Sequence, residues 1–210
     1  MKILLTGFEP FGKEKINPAW EAVKRVRDLI GDIEVVKVQV PTEFTRGAQV
    51  VLEKANIVHP DVVLCVGQAG GRAGITVEKV GINLIDARMA DNAGRAPIDE
   101  EIVEGGPAAY FATVPVKAMV EGMRSIGIPA SVSYTAGTYV CNELLYRMLN
   151  EMRDTEVRTG FIHVPYLMEQ VVNGDRPSMA LEDMVKGLEK CIEVVCKTRN
   201  DSHTSHGTEM

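Results

Sequence analysis

Short apolar, β-branched runs alternate along this chain with segments of helical apolar spacing, and that alternation limits its fold more than any other feature. The runs at 2–6, 34–40, 62–66, 130–134 and 160–164 read as buried strands. The segment 74–86 alternates more than it runs apolar and reads as an outer strand or a hairpin arm. Helical spacing covers 18–30, 42–58, 115–126, 138–152 and 181–197. Asn17-Pro18 is a helix start, with Asn as cap and Pro at the first helical position. Strands separated by helices imply an α/β fold. The expected architecture is a three-layer sandwich, in which a largely parallel, mixed, twisted sheet carries helices on both faces. Ligands of such sheets sit in the crevice at the carboxyl ends of the strands, so chemistry is sought there.

Size and charge narrow the class. The 210 residues suffice for one sizeable core. With no internal repeat and no linker, residues 1–198 are read as a single α/β domain, and the polar residues 199–210 as a disordered tail. The stretch 91–108, with its acids, prolines and glycines, reads as a long surface loop. A net charge of −6, from 23 basic and 29 acidic residues, argues against nucleic acid or an anionic membrane as partner. No apolar run is as long as a membrane span, and the apolar start is broken too early for a signal peptide. The expected location is the cytoplasm, where four cysteines without paired spacing stay reduced.

Among those cysteines Cys141 stands apart. Thr135-Ala136-Gly137-Thr138-Tyr139-Val140-Cys141 brings a glycine turn into a helical pattern, which puts the thiol in the first helical turn. Unpaired backbone N–H groups and the helix dipole there favour thiolate, the nucleophilic form. Cys65 lies in a buried-strand run, and Cys191 and Cys196 lie on the last helix; all three read as packing. His203 and His206 fall in the tail, and His59 in a loop. His163 ends the strand Gly160-Phe161-Ile162-His163-Val164, at the sheet edge where sites collect. It is either a hydrogen-bonded core histidine or the general base of a Cys–His pair. A base needs a third group to orient it. Glu78, Asp86, Asp91, Glu101 and Glu143 all qualify by composition, and residue physics does not choose among them.

Two glycine loops follow strands. Thr6-Gly7-Phe8-Glu9-Pro10-Phe11-Gly12 holds two of the chain's five phenylalanines. These either fold back into the core or form an apolar wall for a small flat ligand. Gly67-Gln68-Ala69-Gly70-Gly71-Arg72 has neither a P-loop nor a dinucleotide pattern. A tight turn that places the Gln68 amide at the strand end suits a neutral amide ligand. Two rival readings share these features: an α/β nucleoside phosphorylase or nucleosidase, and a non-catalytic binding module for small lactams.

These loops, with Asp86-Ala87-Arg88, the Cys141 segment and the His163 strand, resemble in order and spacing the cysteine pyroglutamyl peptidases. The resemblance spans about residues 1–196. It implies an exopeptidase that cleaves N-terminal 5-oxoproline from peptides through a thioester, with no cofactor, no metal and a homotetrameric assembly. It implies Cys141 as nucleophile, His163 as base, Glu78 as the orienting acid and Arg88 near the oxyanion. Phe8, Phe11, Asn17, Gln68, Tyr139 and Val140 match positions that line the pyroglutamate pocket. The chain departs from the family pattern at Val77, Lys79, Tyr139, Glu143 and Met168. Tyr139 changes pocket polarity, and Glu143 adds negative charge two residues beyond Cys141.

Overall fold

A computed structural model describes residues 1–208. Its elements run β1 (Lys2–Phe8), α1 (Pro18–Val23), β2 (Leu29–Ile30), β3 (Ile33–Val40), α2 (Arg46–Val58), β4 (Val62–Gln68), β5 (Ile75–Glu78), β6 (Val80–Ile82), β7 (Ala109–Phe111), α3 (Val116–Ser125), β8 (Ala130–Ser133), α4 (Val140–Met152), β9 (Arg158–Val164), β10 (Tyr166–Leu167), a 3-10 turn (Met168–Gln170), β11 (Ser178–Met179) and α5 (Leu181–Lys197). The expected α/β sandwich is present. A seven-stranded sheet has the order β2-β3-β1-β4-β9-β5-β8. Strands β3, β1, β4 and β9 are mutually parallel. β5 and β8 are parallel to each other, but β5 runs antiparallel to β9.

Alternation along the strands divides the core in two. On one face Ile3, Leu5, Leu64, Val66, Val77 and Ile162 pack against α1, α3 and α5. On the other, Leu4, Phe8, Cys65 and Phe161 meet α2 and α4. Asn17 caps α1 as expected, its side chain accepting from the Ala19 N–H at 3.0 Å. That helix stops at Val23, well short of the expected residue 30. Beyond it the chain turns outward to form the edge strand β2, with the Arg27 backbone and side chain both held by Glu189 of α5.

The segment expected as an outer strand or a hairpin arm is divided at Lys79. Residues before it join the main sheet, and β6 after it pairs with β7 in a separate two-stranded antiparallel sheet. The cause is a handover of the Lys79 backbone, whose N–H goes to Ser133 and whose carbonyl takes the Ala112 N–H. After α5 the polar segment lies along α3. Pro115 gives α3 no side-chain cap, and Asp201 Oδ1 accepts instead from the Lys117 and Ala118 N–H groups at 2.8 and 3.0 Å. The last two residues of the expected tail, 209–210, lie outside the described residues.

Candidate active site

Gly137, at φ +79°, turns the chain toward α4, and Tyr139 is the extended residue before the first helical turn. Tyr139 offers no side-chain cap, and the first helical bond runs from the Glu143 N–H to the Tyr139 carbonyl. Among the described residues, the N–H groups of Val140, Cys141 and Asn142 therefore lack acceptors. Asn142 anchors this helix start: its amide accepts from the Ile82 N–H and donates to the Ile82 and Leu84 carbonyls, all at 2.9–3.0 Å. Cys141, the second helical residue, hangs its thiol over β4. A Cβ added at Gly67 would lie 3.0 Å from Cys141 Sγ and 2.9 Å from the Phe161 ring. The glycine at 67 is thus the clearance that seats the sulfur against the sheet.

His163 is opposite Gly67 in the parallel β4–β9 register. On the other flank the antiparallel register pairs His163 with Thr76. Glu78, two residues on, shares that face and lies diagonal to the imidazole. Its Oε1 meets His163 Nδ1 at 2.7 Å, with the carboxylate fully buried and the imidazole nearly so. The bond at Nδ1 leaves Nε2 without a partner among the described residues, and His163 and Cys141 open on one cavity. Arg72 closes the group from the glycine loop. Its Nη1 contacts Thr76 Oγ1 and lies 2.6 Å from Glu78 Oε1, and its Nη2 donates to the Thr135 carbonyl at 3.0 Å.

The electrostatics oppose the helix start, which favours thiolate. Burial, followed by the Glu78 charge, pushes the Cys141 thiol up to about 12, and Arg72 pulls the other way. The helix start is open, but a half-buried sulfur desolvated beside a carboxylate holds its proton more tightly until a base removes it. Burial also works to raise the Glu78 carboxyl. His163, Ser133 and Arg72 outweigh it and hold the acid below its ordinary value. Glu143 does not act on the thiol. It is buried, accepts from the Thr45 N–H at 2.9 Å, and is paired with Arg147 at 2.7 Å. Its work is to hold Thr45, whose φ of +67° is strained for a β-branched residue.

The cavity beside Cys141 and His163 measures about 330 Å³, the lower end of small-ligand clefts. Phe8, Phe11, Asn17, Gln68, Tyr139 and Val140 all border it. Asn17 is buried, with its amide bonded to the Ala19 N–H and the Glu9 carbonyl. Tyr139 is braced edge-on by Phe44 at 5.2 Å, and its hydroxyl donates to the Ala90 carbonyl at 3.0 Å. The departure from phenylalanine is thereby satisfied outside the cleft. Arg88 is exposed and borders an adjoining cavity with Asp86, Met89 and Tyr139. The cation in the cleft itself is Arg72. Sequence reading met Arg72 only as the end of a glycine loop, although a lone cation directly after such a loop at a strand's carboxyl edge was the available signal.

The other cysteines are packing. Cys65 and Cys191 are fully buried with thiols pushed up by burial, and Cys196 is half-buried on α5. No described helix is long and apolar enough to cross a membrane.

The model of the family described as pyroglutamyl peptidase matches residues 1–198. A pyrrolidone-carboxylate peptidase of Clostridium perfringens is 50% identical over 210 residues, 99% of each chain. One of Erwinia tasmaniensis is 49% identical over 208 residues, 98% of each chain. Among solved structures, pyroglutamyl peptidase I of Bacillus amyloliquefaciens superposes with a TM-score of 0.95 at 46% identity, covering 97% of this chain and 99% of that one. Pyrrolidone carboxyl peptidase of Pyrococcus furiosus superposes at 0.91 with 38% identity, covering 94% and 99%.

Proposed function

The chain belongs to the pyroglutamyl peptidase family, and on that premise we propose that Cys141, His163 and Glu78 carry out its chemistry in the cavity they border. The protein is a cysteine exopeptidase that removes N-terminal pyroglutamate. The observation that carries the residue assignment is the diagonal His163–Glu78 bond of 2.7 Å beneath a thiol seated over Gly67.

The neutral 5-oxoproline ring enters between Phe8, Phe11 and Tyr139, with its lactam on Gln68. A neutral ring has no use for the carboxylate clamp with which an ordinary aminopeptidase binds an ammonium group. His163 Nε2 takes the Cys141 proton as Sγ bonds to the scissile carbonyl carbon, which suits a thiol pushed up by desolvation and the Glu78 charge. The negative oxygen that forms is met by the open N–H groups at the start of α4, each such donor being worth about 3 kcal/mol. The imidazolium, stabilised by Glu78, then gives its proton to the departing amine as the C–N bond breaks. Water, losing a proton to His163, attacks the thioester; pyroglutamate leaves and the thiol is restored. We assign the cation of the site to Arg72, with Arg88 bordering the neighbouring cavity. Residues 1–198 form the catalytic domain of a cytoplasmic homotetramer, a reading supported by family membership.

The test is cleavage of a pyroglutamyl-amide reporter with and without iodoacetamide, alongside Cys141→Ser. Alkylation and the substitution should each remove activity by roughly 10⁴-fold or more while circular dichroism is unchanged. Full activity in a folded Cys141→Ser protein sinks the assignment.

A further inference from the structure

Gln68 reaches the cleft as an amide with two unlike ends, and something must decide which end faces the ligand. We propose that Gln170 decides it: Gln170 is a positioning residue that fixes the polarity of Gln68, so that the cleft presents a hydrogen-bond donor and selects the lactam carbonyl. The inference rests on the proposed cleft above. Its ground is a chain of hydrogen bonds whose direction is forced at its start.

Gln170 closes the turn after β10. Its Oε1 accepts from the Leu167 backbone N–H at 2.9 Å, and a backbone N–H only donates. Its Nε2 lies 3.1 Å from Glu14 Oε2, and a carboxylate oxygen only accepts. Both contacts give one orientation, so the end of Gln170 that faces Gln68 is the amine. At 3.1 Å across that contact Gln68 must present its oxygen. Gln68 Nε2 is then the free end, on a residue that borders the cavity, and among the described residues it has no acceptor.

The two loops are also held at fixed spacing. A Cβ at Gly70 would overlap the Tyr166 ring, and the Ala69 N–H donates to the Val164 carbonyl at 2.9 Å. Two half-buried amides thus act as a relay from a backbone N–H to the ligand. A 5-oxoproline ring meets the relay with its carbonyl. A proline ring, with no carbonyl there, leaves the donor unpaired, which such sites penalise heavily.

Gln170→Glu is the informative change. The introduced carboxylate still accepts from Leu167, and Glu14→Gln is made with it so that no second carboxylate opposes it across the 3.1 Å contact. The introduced carboxylate has no donor for Gln68, whose amide then reverses and turns its oxygen to the cleft. The expected result is a KM for the pyroglutamyl-amide reporter raised roughly tenfold or more with kcat little altered. In a Gln68→Met background the same pair of changes should have no further effect. An unchanged KM overturns the proposal, as does an undiminished effect without Gln68, which would mark a merely structural role. Binding of 2-pyrrolidone to Cys141→Ala protein by calorimetry, with and without the paired Gln170→Glu and Glu14→Gln changes, repeats the test without turnover. It should weaken by the same factor, and equal affinities refute the relay whether or not the catalytic assignment stands.

Discussion

The two faces of the seven-stranded sheet are built from different materials. The face under α1, α3 and α5 is aliphatic, its buried cluster made of Ile, Leu, Val, Ala and Met with one cysteine. The face under α2 and α4 collects Phe8, Phe44, Tyr146 and Phe161, and beside them the buried polar groups Glu78, Asn142, Glu143 and His163. Burying an unpaired polar group is costly, so each of these is tied to a partner across elements far apart in sequence. One face therefore supplies stability through area, which tolerates substitution. The other supplies position, which does not.

Matched glycines on the two faces break or sharpen that contrast. The largest effect is expected at Gly67→Ala on the polar face. The added methyl meets the thiol and the Phe161 ring, and a displacement near 1 Å costs roughly 100-fold in kcat/KM. The folded protein should keep an iodoacetamide-reactive thiol, and retention of full kcat/KM would show that the sulfur has slack.

Next comes Arg72→Met, which removes the one cation of the cluster. Arg72 lowers the Cys141 pKa, so its loss moves the thiol above its present value of about 12. The thiolate fraction falls at every pH below that, and alkylation by iodoacetamide should slow by roughly tenfold. Glu78 moves the same way. Its folded pKa lies below the ordinary 4.5, so its contribution to stability is present above that pH and lost as pH falls through the depressed value. Without Arg72 the depression shrinks, and acid unfolding should begin at a higher pH. An alkylation profile that superposes on the parent's would separate Arg72 from the thiol.

The smallest effect is expected at Gly187→Ala on the aliphatic face. There the added methyl meets the tip of the Ile75 side chain. Overpacking is partly offset by better helix propensity, leaving about 1 kcal/mol of lost stability in urea. The activity of the folded protein should not change; a fall in kcat would couple the faces.

The layered fold, Cys141 and His163 were legible because periodicity and strand ends are local signals. The extent of α5 also matches its apolar spacing, 181–197 in both. Helix α1 was overread because its apolar spacing continues past Val23, while a bond from another element, Glu189 to Arg27, shapes the chain there. Glu78 came only from family resemblance. Its role depends on the antiparallel register of β5 against β9, and no local pattern encodes which strands become neighbours. Arg72 was hidden for the same reason. The helix start that favours thiolate is visible in sequence, whereas the desolvation and the Glu78 charge that push the thiol up are not. The concern over Glu143 dissolved through Arg147, one turn further along the same helix, a spacing that was in plain view.

The clearance at Gly67 also bears on heredity. Any missense change of a glycine codon adds a side chain, and here even the smallest one crowds the sulfur. The gene can thus lose its product's activity through a change that leaves the nucleophile, the base and the acid all spelled correctly. A survey of catalytic letters alone would count such an allele as sound, when the letter that matters encodes empty space.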